Sequence, residues 1–488
     1  MPREPRDDVD ELANLSVPEL IEIILQQQAL LERLQQRLAE LEQQVEQLQR
    51  AGKRQATPFS RQHAKADPKA PGRKAGQGHF TYRAAPAPEA VTQTQEAPLA
   101  GCPHCGCALS DLRDLKTHEH FEVDIPPVQP RLTRYVTHSG YCSHCRLRVR
   151  SRHPEQLSQA TGAAGVVLGP RSKALAADLK HRLGLSYGKI QELFEVGFGL
   201  PCSRGGLCQA DGRLAQQARP VYDQLVELLR HSAQVHADET GWRIGTLSAW
   251  LWVFTNRQLT VYSIASGAGH ARSHEVIVEM LGQEFAGTLI SDCFTAYDHQ
   301  KLEGWLKQKC LAHLLKDLSA MEEQKSGRAI CFARAVSAVL RAALALRDHK
   351  STLSGAQFAA QAQVLEAQLD ALLDQRRRLS DADNVRFAKR LRKHRAHLLR
   401  FLYVEGVDAT NNQAERMLRP AVIVRKTGGC NRTAQGAAAH VILASVLVTC
   451  RQQKLCLLDF LVKLQRAGGG ILPSLAPVPT PAQCAVPP

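Results

Sequence analysis

Three acidic residues occupy positions from which they could carry out chemistry on phosphodiester bonds. Asp238 is the last residue of the short segment QVHAD, and Asp292 is the last residue of the segment GTLISD. Glu415 follows an Asn-Asn pair at the start of a helix-like segment. Three carboxylates can hold two divalent ions, which sharpen the attacking oxygen and stabilise the leaving oxygen of an in-line displacement. Mg²⁺ suits such hard oxygen ligands, and Mn²⁺ can substitute for it. These three acids are therefore candidate catalytic residues and metal ligands.

The elements around these acids follow a definite order. The sequence predicts strands over 234–238, 249–255 and 259–265, a helix over 274–281, and a fourth strand that ends on Asp292. This is the core order of the ribonuclease H-like α/β fold, and in such sheets ligands lie at the strand ends. A single acid at a strand end is usually a cap or a surface charge. Glu239 and Asp298, the neighbours of the two aspartates, are accordingly predicted to be structural.

Basic residues follow the third acid closely. They are Arg416, Arg419, Arg425 and Lys426. Cationic groups beside a metal-binding carboxylate would hold phosphates near the charge that develops in the transition state. We therefore predict that these four residues contact DNA.

Two cysteine pairs predict a second metal site with a structural role. Cys102-Pro-His-Cys105 and Cys142-Ser-His-Cys145 each place two thiols on a tight turn, and a tetrahedral zinc ion needs four thiolates. A redox dithiol is the alternative, although it would need only one pair. Nearby side chains could also replace one of the four ligands; they are Cys107, His104, His118 and His120.

Composition favours a nucleic-acid partner inside the cell. The chain has 488 residues, enough for several domains, and a formal net charge of +15. Nucleic acid is the usual partner of such a charge, and a merely soluble basic protein is the alternative. The charged N-terminus lacks a signal-peptide pattern, and no uninterrupted apolar stretch approaches the roughly 18 residues of a membrane span. We expect a cytoplasmic protein with reduced cysteines and no membrane contact.

The N-terminal segment 1–50 predicts a coiled coil. Its apolar residues repeat every seven positions along two seams, Ile24, Leu31, Leu38 and Val45 on one and Leu34, Leu41 and Leu48 on the other. Gln27 occupies a seam position and could set the register. A sustained heptad implies a partner helix, so we predict a homodimer or higher oligomer. A helix folded back on its own chain is the alternative.

Three further segments precede the predicted strands. Residues 51–98 are rich in Pro, Gly, Ala and basic residues, which predicts a flexible linker that could add phosphate contacts without reading sequence. Residues 99–150 form the predicted zinc-binding domain, a zinc ribbon. Residues 158–230 predict a helical, helix-turn-helix-like region in which Ser203 caps the second helix. That helix could enter the major groove of DNA; an ordinary helix pair is the alternative.

The catalytic domain is predicted over 231–450, with a helical insertion at 319–404. The later part of the insertion, RRRLSDADNVRFAKRLRKHRAHLLR, has ten basic residues against two acids and would line the DNA path. A solvated basic helix pair is the alternative. Cys310 and His313 are too few to hold a metal, so core packing is predicted for them. Residues 451–488 predict a C-terminal helix and a disordered, proline-rich tail.

The motifs that carry these residues resemble the transposases of insertion sequence family 66, a branch of the DDE transposases. They are HADET (236–240), SDCFTAY (291–297), CLAH (310–313) and NNQAERMLRP (411–420), in the family's order. The likeness runs from the coiled coil to about residue 465 and includes PFSR (58–61) and the cysteine pairs. One departure is TGGCNRTAQG after Lys426, where the family often has an aromatic-containing stretch. How the end of the DNA strand is held at this position therefore stays open.

The resemblance implies an activity and its partners. Asp238, Asp292 and Glu415 would be the catalytic triad of an enzyme in the bacterial cytoplasm, associated with the nucleoid when bound to DNA. It would act on the inverted ends of its own element and on target DNA, together with small accessory proteins encoded beside it. The expected fold class is multidomain α+β. Two other classes stay open: a zinc-containing DNA-binding protein without catalysis, and a ribonuclease H-like nuclease that cuts but does not join.

Overall fold

The protein combines helices with a mixed β-sheet, as expected for a multidomain α+β chain. The computed structural model describes residues 16–52, 84–108, 110, 114, 116–374, 379–467 and 470–476. The chain divides into two compact units, Met1–Ile125 and Pro126–Pro488.

One long helix dominates the first unit. Helix α1 spans Val17–Gly52, and this confirms the predicted N-terminal helix. Five of its seam residues each expose between 45% and 59% of their surface; they are Ile24, Leu31, Leu34, Leu38 and Leu41. The side chains of Val45 and Leu48 lie outside the described residues, as does most of the predicted linker. Residues 84–100 are exposed, with one short 3-10 turn at Pro88–Ala90.

The second unit begins with a small hairpin and three helices. Strands β1 (Ser139–Cys142) and β2 (Leu147–Arg150) pair antiparallel. Helices α2 (Pro170–His181), α3 (Tyr187–Phe198) and α4 (Arg204–Arg230) follow.

The predicted helix, glycine turn and helix are present in this region. Gly199 ends α3 in the left-handed conformation, with φ of 58°, because glycine carries no Cβ that would oppose it. Ser203 Oγ accepts a hydrogen bond from Gly206 N at 3.0 Å and caps α4, as predicted. Ile190, Phe194 and Leu207 form the buried contact between the two helices.

A five-stranded sheet forms the centre of the second unit. Strand β3 spans Gln234–Ile244, β4 Leu247–Thr255 and β5 Thr260–Ser266; helix α5 spans His274–Leu281; β6 spans Thr288–Ser291 and β7 Leu306–Lys309. The spatial order is β5-β4-β3-β6-β7. Strands β3, β4 and β5 form an antiparallel meander, whereas β6 pairs parallel with both β3 and β7.

The strand that carries Asp238 is longer than predicted. The prediction that it ends on this acid is wrong, because β3 continues to Ile244 and pairs with β4 throughout. Glu-Thr-Gly after Asp238 has the composition of a turn, but the true turn is at Gly245, where φ is 59°. Within the described residues, β3 pairs beyond His236 with β4, and no strand lies along its other edge, where an isolated bridge joins Ile244 to Asn431.

Strand β7 was not predicted at all. Its sequence LKQK is polar, so it lacks the apolar pattern of an interior strand. Nevertheless Lys307, Gln308 and Lys309 are buried, and Gln308 uses its amide to bond Lys309 O and Leu398 O, each at 2.8 Å.

Helices complete the second unit. Those that follow β7 are α6 (Leu311–Gln324), α7 (Arg328–Asp348), α8 (Gly355–Asp374) and α9 (Ala382–Lys393), which share a hydrophobic core of their own. The last three are α10 (Asn412–Gly428), α11 (Ala434–Gln452) and α12 (Leu457–Arg466). Residues 477–488 of the predicted disordered tail lie outside the described residues.

Both faces of the sheet are covered by helices. Alternate residues of β4 point to opposite faces. Trp252 and Phe254 belong to a core with α4 and α11, whereas Leu251 and Val253 belong to a core with α10. Helices α7 and α11 are long and apolar enough to cross a membrane, with 44% and 72% of their apolar windows buried inside the protein. Core helices pass the same test, so this is weak evidence for a membrane span.

Candidate active site

The two aspartates lie at the same level of the sheet. The parallel register of β3 and β6 ends with His236 opposite Ile290, and each acid follows two residues later on its own strand. Residues opposite each other in a parallel register point to the same face, so Asp238 and Asp292 share a face. Both acids are partly exposed. Strand pairing therefore brings the two carboxylates together where β6 ends beside β3.

The third acid comes from the first turn of α10. Glu415 N donates to Asn411 O at 3.2 Å, which places the side chain at the positive end of the helix dipole. Its Oε1 lies 3.5 Å from His313 Nε2, and the side chain is 39% exposed. His313 also interacts electrostatically with Asp238 and Asp292. One imidazole thus neighbours all three acids.

Asn411 connects the helix of Glu415 to the strand of Asp238. It is fully buried, and its Nδ2 donates to Ala237 O at 2.8 Å. Its Oδ1 is then the acceptor for His236 Nδ1 at 3.3 Å. Its backbone N donates to Cys310 Sγ at 3.0 Å. One residue therefore joins three of the sequence motifs.

Cys310 and His313 have different surroundings. Cys310 is buried, as core packing predicts, and its N donates to Ser291 O at 2.8 Å, next to Asp292. For His313 the core prediction is wrong, because 41% of its side chain is exposed and it faces Glu415. Contact with the Cys310 sulfur, together with the charges of Glu415 and Asp292, raises the pKa of His313 to about 9 although burial opposes this.

The acids repel one another. Burial raises the pKa of Asp238 well above its usual range, and the charges of Glu239 and Asp292 add to the shift. Burial and Asp292 also raise the pKa of Glu239, against the opposing effect of Arg272. Within the described part of the chain, Lys and Arg side chains form ion pairs with other acids but not with Asp238 or Asp292. Carboxylates that pair with no Lys or Arg in this part of the structure fit a divalent metal, which supplies positive charge beyond that of His313.

Unlike Asp238 and Asp292, the carboxylates of Glu239 and Asp298 do form ion pairs with Lys or Arg side chains. Glu239 Oε1 lies 2.8 Å from Arg272, its Oε2 accepts from Tyr297 OH at 2.9 Å, and its side chain is only 3% exposed. Asp298 pairs with Lys309 at 2.9 Å and with Lys393 at 3.0 Å. Both carboxylates are thus occupied by protein groups, as the predicted structural role requires.

Three cysteines converge in the first unit. The Sγ atoms of Cys102, Cys105 and Cys107 lie within 4.8 Å of one another. The turn is closed by Cys102 N donating to Cys107 O at 3.0 Å and Gly106 N donating to Cys102 O at 2.8 Å. The backbone N–H groups of Cys105 and His104 lower the pKa of Cys102, which favours the thiolate that binds zinc. The cluster fits a metal and includes Cys107, a predicted alternate ligand.

The second cysteine pair has a similar local construction. Cys142 is the last residue of β1, and Cys145 lies in the turn that leads to β2. The pKa of Cys142 is lowered by the backbone N–H and side chain of Cys145 and by the N–H of His144. This turn, too, favours thiolates.

Comparison with known families identifies the chain. Residues 165–439 match the transposase IS66 family, and this segment is more than half of the chain and contains the three acids. The chain belongs to the IS66 family of transposases. Residues 100–146 match the zinc-finger binding domain of transposase IS66, so the match includes both cysteine pairs and supports structural zinc. No curated protein matches the chain significantly.

The four residues of the transposase that were predicted to contact DNA differ in how exposed they are and in whether they already bond to the protein. Arg416, Arg419 and Lys426 are exposed on α10. Arg425 instead points to the sheet, where Nη1 donates to Thr240 Oγ1 at 2.8 Å and to Gly241 O at 2.6 Å. Part of its guanidinium is thus used to hold α10 against β3.

The basic part of the helical insertion is largely neutralised. Between residues 379 and 400 the structure describes seven Lys or Arg residues, and five of them pair with acids: Arg386, Arg390, Arg392, Lys393 and Arg395. Groups already paired have less attraction left for phosphates. A DNA path along this surface therefore has weaker support than the sequence alone indicated.

The sequence led us to select Asp238, Asp292 and Glu415, but not the groups that the structure places around them. His236 and Arg272 were given no role, and Asn411 was assigned only to the start of the helix that carries Glu415. His236 and Asn411 are 175 residues apart, so no local pattern could have paired them. Their positions in the motifs HADET and NNQAERMLRP, close to the acids, are a signal that the sequence does offer.

Proposed function

We propose that this IS66-family transposase binds the inverted ends of its element, cleaves the DNA strand and transfers it to target DNA. Asp238, Asp292 and Glu415 would be the catalytic triad. The observation that carries this proposal is the equal level of Asp238 and Asp292 in the parallel register, with Glu415 joined to the same strand through Asn411.

The core that holds the triad is proposed to be ribonuclease H-like. The strand order β5-β4-β3-β6-β7, with an antiparallel meander followed by parallel strands, supports this assignment. The acids on β3 and after β6, and the third acid on a later helix, fit the same plan.

Mg²⁺ or Mn²⁺ would be held by the three carboxylates. When bound, such ions polarise the attacking and leaving oxygens of a phosphodiester displacement. The protein holds Asp238 by β-pairing, Asp292 by the bond from Phe294 N to its Oδ1 at 2.9 Å, and Glu415 by the first turn of α10. Exposed Arg416 and Arg419 would bind phosphates of the same DNA strand.

Two displacements account for the proposed activity. In the first, a water oxygen bonds to phosphorus, the bond from phosphorus to O3′ breaks, and the products are a 3′-hydroxyl and a 5′-phosphate. In the second, that 3′-oxygen bonds to a target phosphorus and the target's own O3′ leaves, so the number of phosphodiester bonds is conserved. Both steps are the same reaction at phosphorus, so one set of carboxylates can serve both.

The remaining regions would bring DNA and partners to this core. We propose zinc bound by Cys102, Cys105, Cys142 and Cys145, self-association through α1, and phosphate contacts from the linker 51–98. The helical region 158–230 would contact the element ends. The small accessory proteins implied by the family resemblance would complete the assembly in the bacterial cytoplasm.

Cleavage of a labelled duplex that carries the element's inverted end tests the proposal. With Mg²⁺, the transposase should yield a free 3′-hydroxyl and, when target DNA is added, a joined product. Asp238→Asn should reduce both products by at least about 1000-fold, because it removes a metal-binding charge. Asp223→Asn is the matched control, since Asp223 is 54% exposed in a surface ion pair with Arg219.

The other possible outcomes of this cleavage assay distinguish the alternative functions. Cleavage without joining would point to a nuclease, and DNA binding without cleavage would point to a binding protein. Full cleavage by Asp238→Asn would overturn the assignment of the triad.

A further inference from the structure

A fully buried lysine lies directly behind Asp292. Lys309 is the last residue of β7 and pairs in register with Ser291, the residue before Asp292. Its side chain is 0% exposed, and Nζ donates to the main-chain O of Asp292 at 3.0 Å. Ser291 Oγ lies 3.4 Å from the same Nζ.

Asp298 supplies the counter-charge of this lysine. Its Oδ1 lies 2.9 Å from Lys309 Nζ, and the Asp298 side chain is only 9% exposed. The Nζ atom thus bonds both to Asp292, the first residue after β6, and to Asp298, six positions further along the chain. It also lies 5.6 Å from the ring centre of Tyr297. Together these contacts close the segment 292–298 into a loop around one ammonium group.

The same loop is attached to two other parts of the second unit. Tyr297 OH donates to Glu239, the neighbour of Asp238, at 2.9 Å. Asp298 Oδ2 lies 3.0 Å from Lys393 and 3.6 Å from His394, at the end of α9. The ammonium group therefore lies where both strands of the aspartates and the helical insertion converge.

A buried charge at this place has a physical cost. Removing an ammonium group from water is unfavourable unless it is paired and hydrogen-bonded, and an apolar residue would fill the same volume without that cost. Stability alone does not explain a lysine at the end of a short interior strand. Its three N–H donors, in contrast, fix an aspartate main chain from behind without competing for the carboxylate.

We propose that Lys309, paired with Asp298, is a positioning residue that sets the location of the Asp292 carboxylate for metal binding. This inference rests on the proposed function, in which Asp292 is a metal ligand. Lys309 does not touch the reacting atoms. It acts through the Asp292 carbonyl and through the loop that Asp298 closes.

The test separates positioning from stability by removing both charges together. Lys309→Met alone leaves Asp298 buried without its main partner and should destabilise the fold. The double variant Lys309→Met/Asp298→Asn carries neither charge, and replacing both members of a buried pair is often neutral for stability. The matched control is Lys350→Met/Glu405→Gln, which removes an exposed ion pair of the same type.

Three measurements are made on the full-length zinc-loaded protein: the urea midpoint of unfolding, calorimetric titration with Mn²⁺ alone, and Mg²⁺-dependent cleavage of the end duplex. In the double variant we expect a wild-type urea midpoint, Mn²⁺ affinity reduced by about 10- to 100-fold, and a lower kcat with an unchanged KM for DNA. The control pair should leave all three quantities unchanged.

The results that would overturn the proposal are specific. If the double variant folds like the wild type and binds Mn²⁺ with wild-type affinity, Lys309 is a structural residue only. If the double variant also unfolds at a lower urea concentration, a second double variant, Lys309→Gln/Asp298→Asn, is measured, because glutamine keeps a side-chain N–H donor. Recovery of its stability without recovery of its Mn²⁺ affinity would contradict positioning through the Asp292 carbonyl. Failure of the proposed function itself shows differently, as a wild-type protein that binds Mn²⁺ but does not cleave DNA.

Discussion

Asn411 is buried, and both ends of its side-chain amide are bonded. The Nδ2 group donates to Ala237 O, one residue before Asp238, and the Oδ1 atom accepts from His236. His236 in turn has its Nε2 3.3 Å from Asp408 Oδ2, just before α10. At the scale of single residues, the distance between strand β3 and Glu415 depends on this amide.

Replacing Asn411 by alanine should therefore reduce both stability and activity. The variant leaves His236 Nδ1–H and Ala237 O without a buried partner, which costs about 1–3 kcal/mol. We expect a lower urea midpoint and a strong loss of DNA cleavage. The matched control is Asn412→Ala, because Asn412 is the exposed neighbour on the same helix. Equal midpoints for the two variants would show that the Asn411 amide does not join strand and helix.

The sequence allowed the three acids to be selected, but not the amide that joins them. Asp238 and Asp292 each follow a short apolar run, and strand ends in α/β sheets are known ligand positions. The Asn411 contacts depend on the folded chain, because their partners are more than 100 residues away in sequence. Local pattern carries no information about such pairs.

At the scale of elements, a buried polar cluster joins three helices to the sheet. His181 of α2 and His440 of α11 face each other with their Nδ1 atoms 3.1 Å apart, and His181 Nε2 lies 3.2 Å from Asp211 of α4. The ring of His440 also stacks on Trp242 of β3. A contact between two Nδ1 atoms requires one of them to be unprotonated, so the two rings cannot both be imidazolium ions.

This cluster should make the fold sensitive to acid. Burial, and then the charges of His181 and Lys180, lower the pKa of His440 well below its ordinary value of 6.5. The unfolded chain therefore binds a proton below about pH 6.5 that the folded protein does not, and stability falls as the pH falls. Between pH 7 and 5 this site should contribute a loss of up to about 2 kcal/mol.

His440→Phe tests this by thermal unfolding at several pH values. Phenylalanine keeps a ring against Trp242 but cannot take up a proton, so the acid-induced decrease in Tm should become smaller than in the wild type. His231→Phe is the control, because His231 is 77% exposed. A pH dependence that is identical in His440→Phe and wild type would refute the prediction.

The sheet shows why some elements could be predicted and others could not. Strands β4 and β5 follow the expected apolar pattern, and their predicted bounds lie within two residues of the observed ones. Strand β7 has two lysines among four residues, and its burial depends on Asp298 and on the helical insertion. The end of β3 has the composition of a turn, but pairing with β4 and a bridge from Ile244 to Asn431 make it a strand. Tertiary pairing decided both cases.

At the scale of the whole molecule, the zinc-finger region gives a prediction about metal content. We expect one zinc per chain, and Cys105→Ser and Cys142→Ser should each lose it, as measured by atomic absorption after dialysis. Cys107→Ser decides between ligand sets, since Cys107 lies in the same cluster as Cys102 and Cys105. It should retain zinc if the two C-x-x-C pairs are the ligands.

Cys331→Ser is the control for zinc content, because Cys331 is an exposed cysteine on α7. Loss of zinc in Cys107→Ser together with retention in Cys142→Ser would replace the predicted four-cysteine set.

The exposed seam of α1 bears on how transposase chains assemble. Leu31 and Leu38 are 57% and 59% exposed, although a leucine gains about 1.5–3 kcal/mol on burial. A helix of 36 residues with such a seam is stable mainly when a partner covers it. A second copy of α1 presents the same seam and is the partner that we predict.

We therefore predict that the wild type is an oligomer and that the double variant Leu31→Glu/Leu38→Glu is a monomer. Two like charges per helix on the apolar seam would face each other and lose water on association, so the seam could no longer close. Analytical ultracentrifugation should show the molar mass fall to that of one chain, while thermal unfolding of the second unit stays unchanged. Gln36→Glu adds a charge on the opposite face of the same helix and should leave the mass unaltered. An oligomer that persists in Leu31→Glu/Leu38→Glu would place the assembly surface elsewhere than on α1.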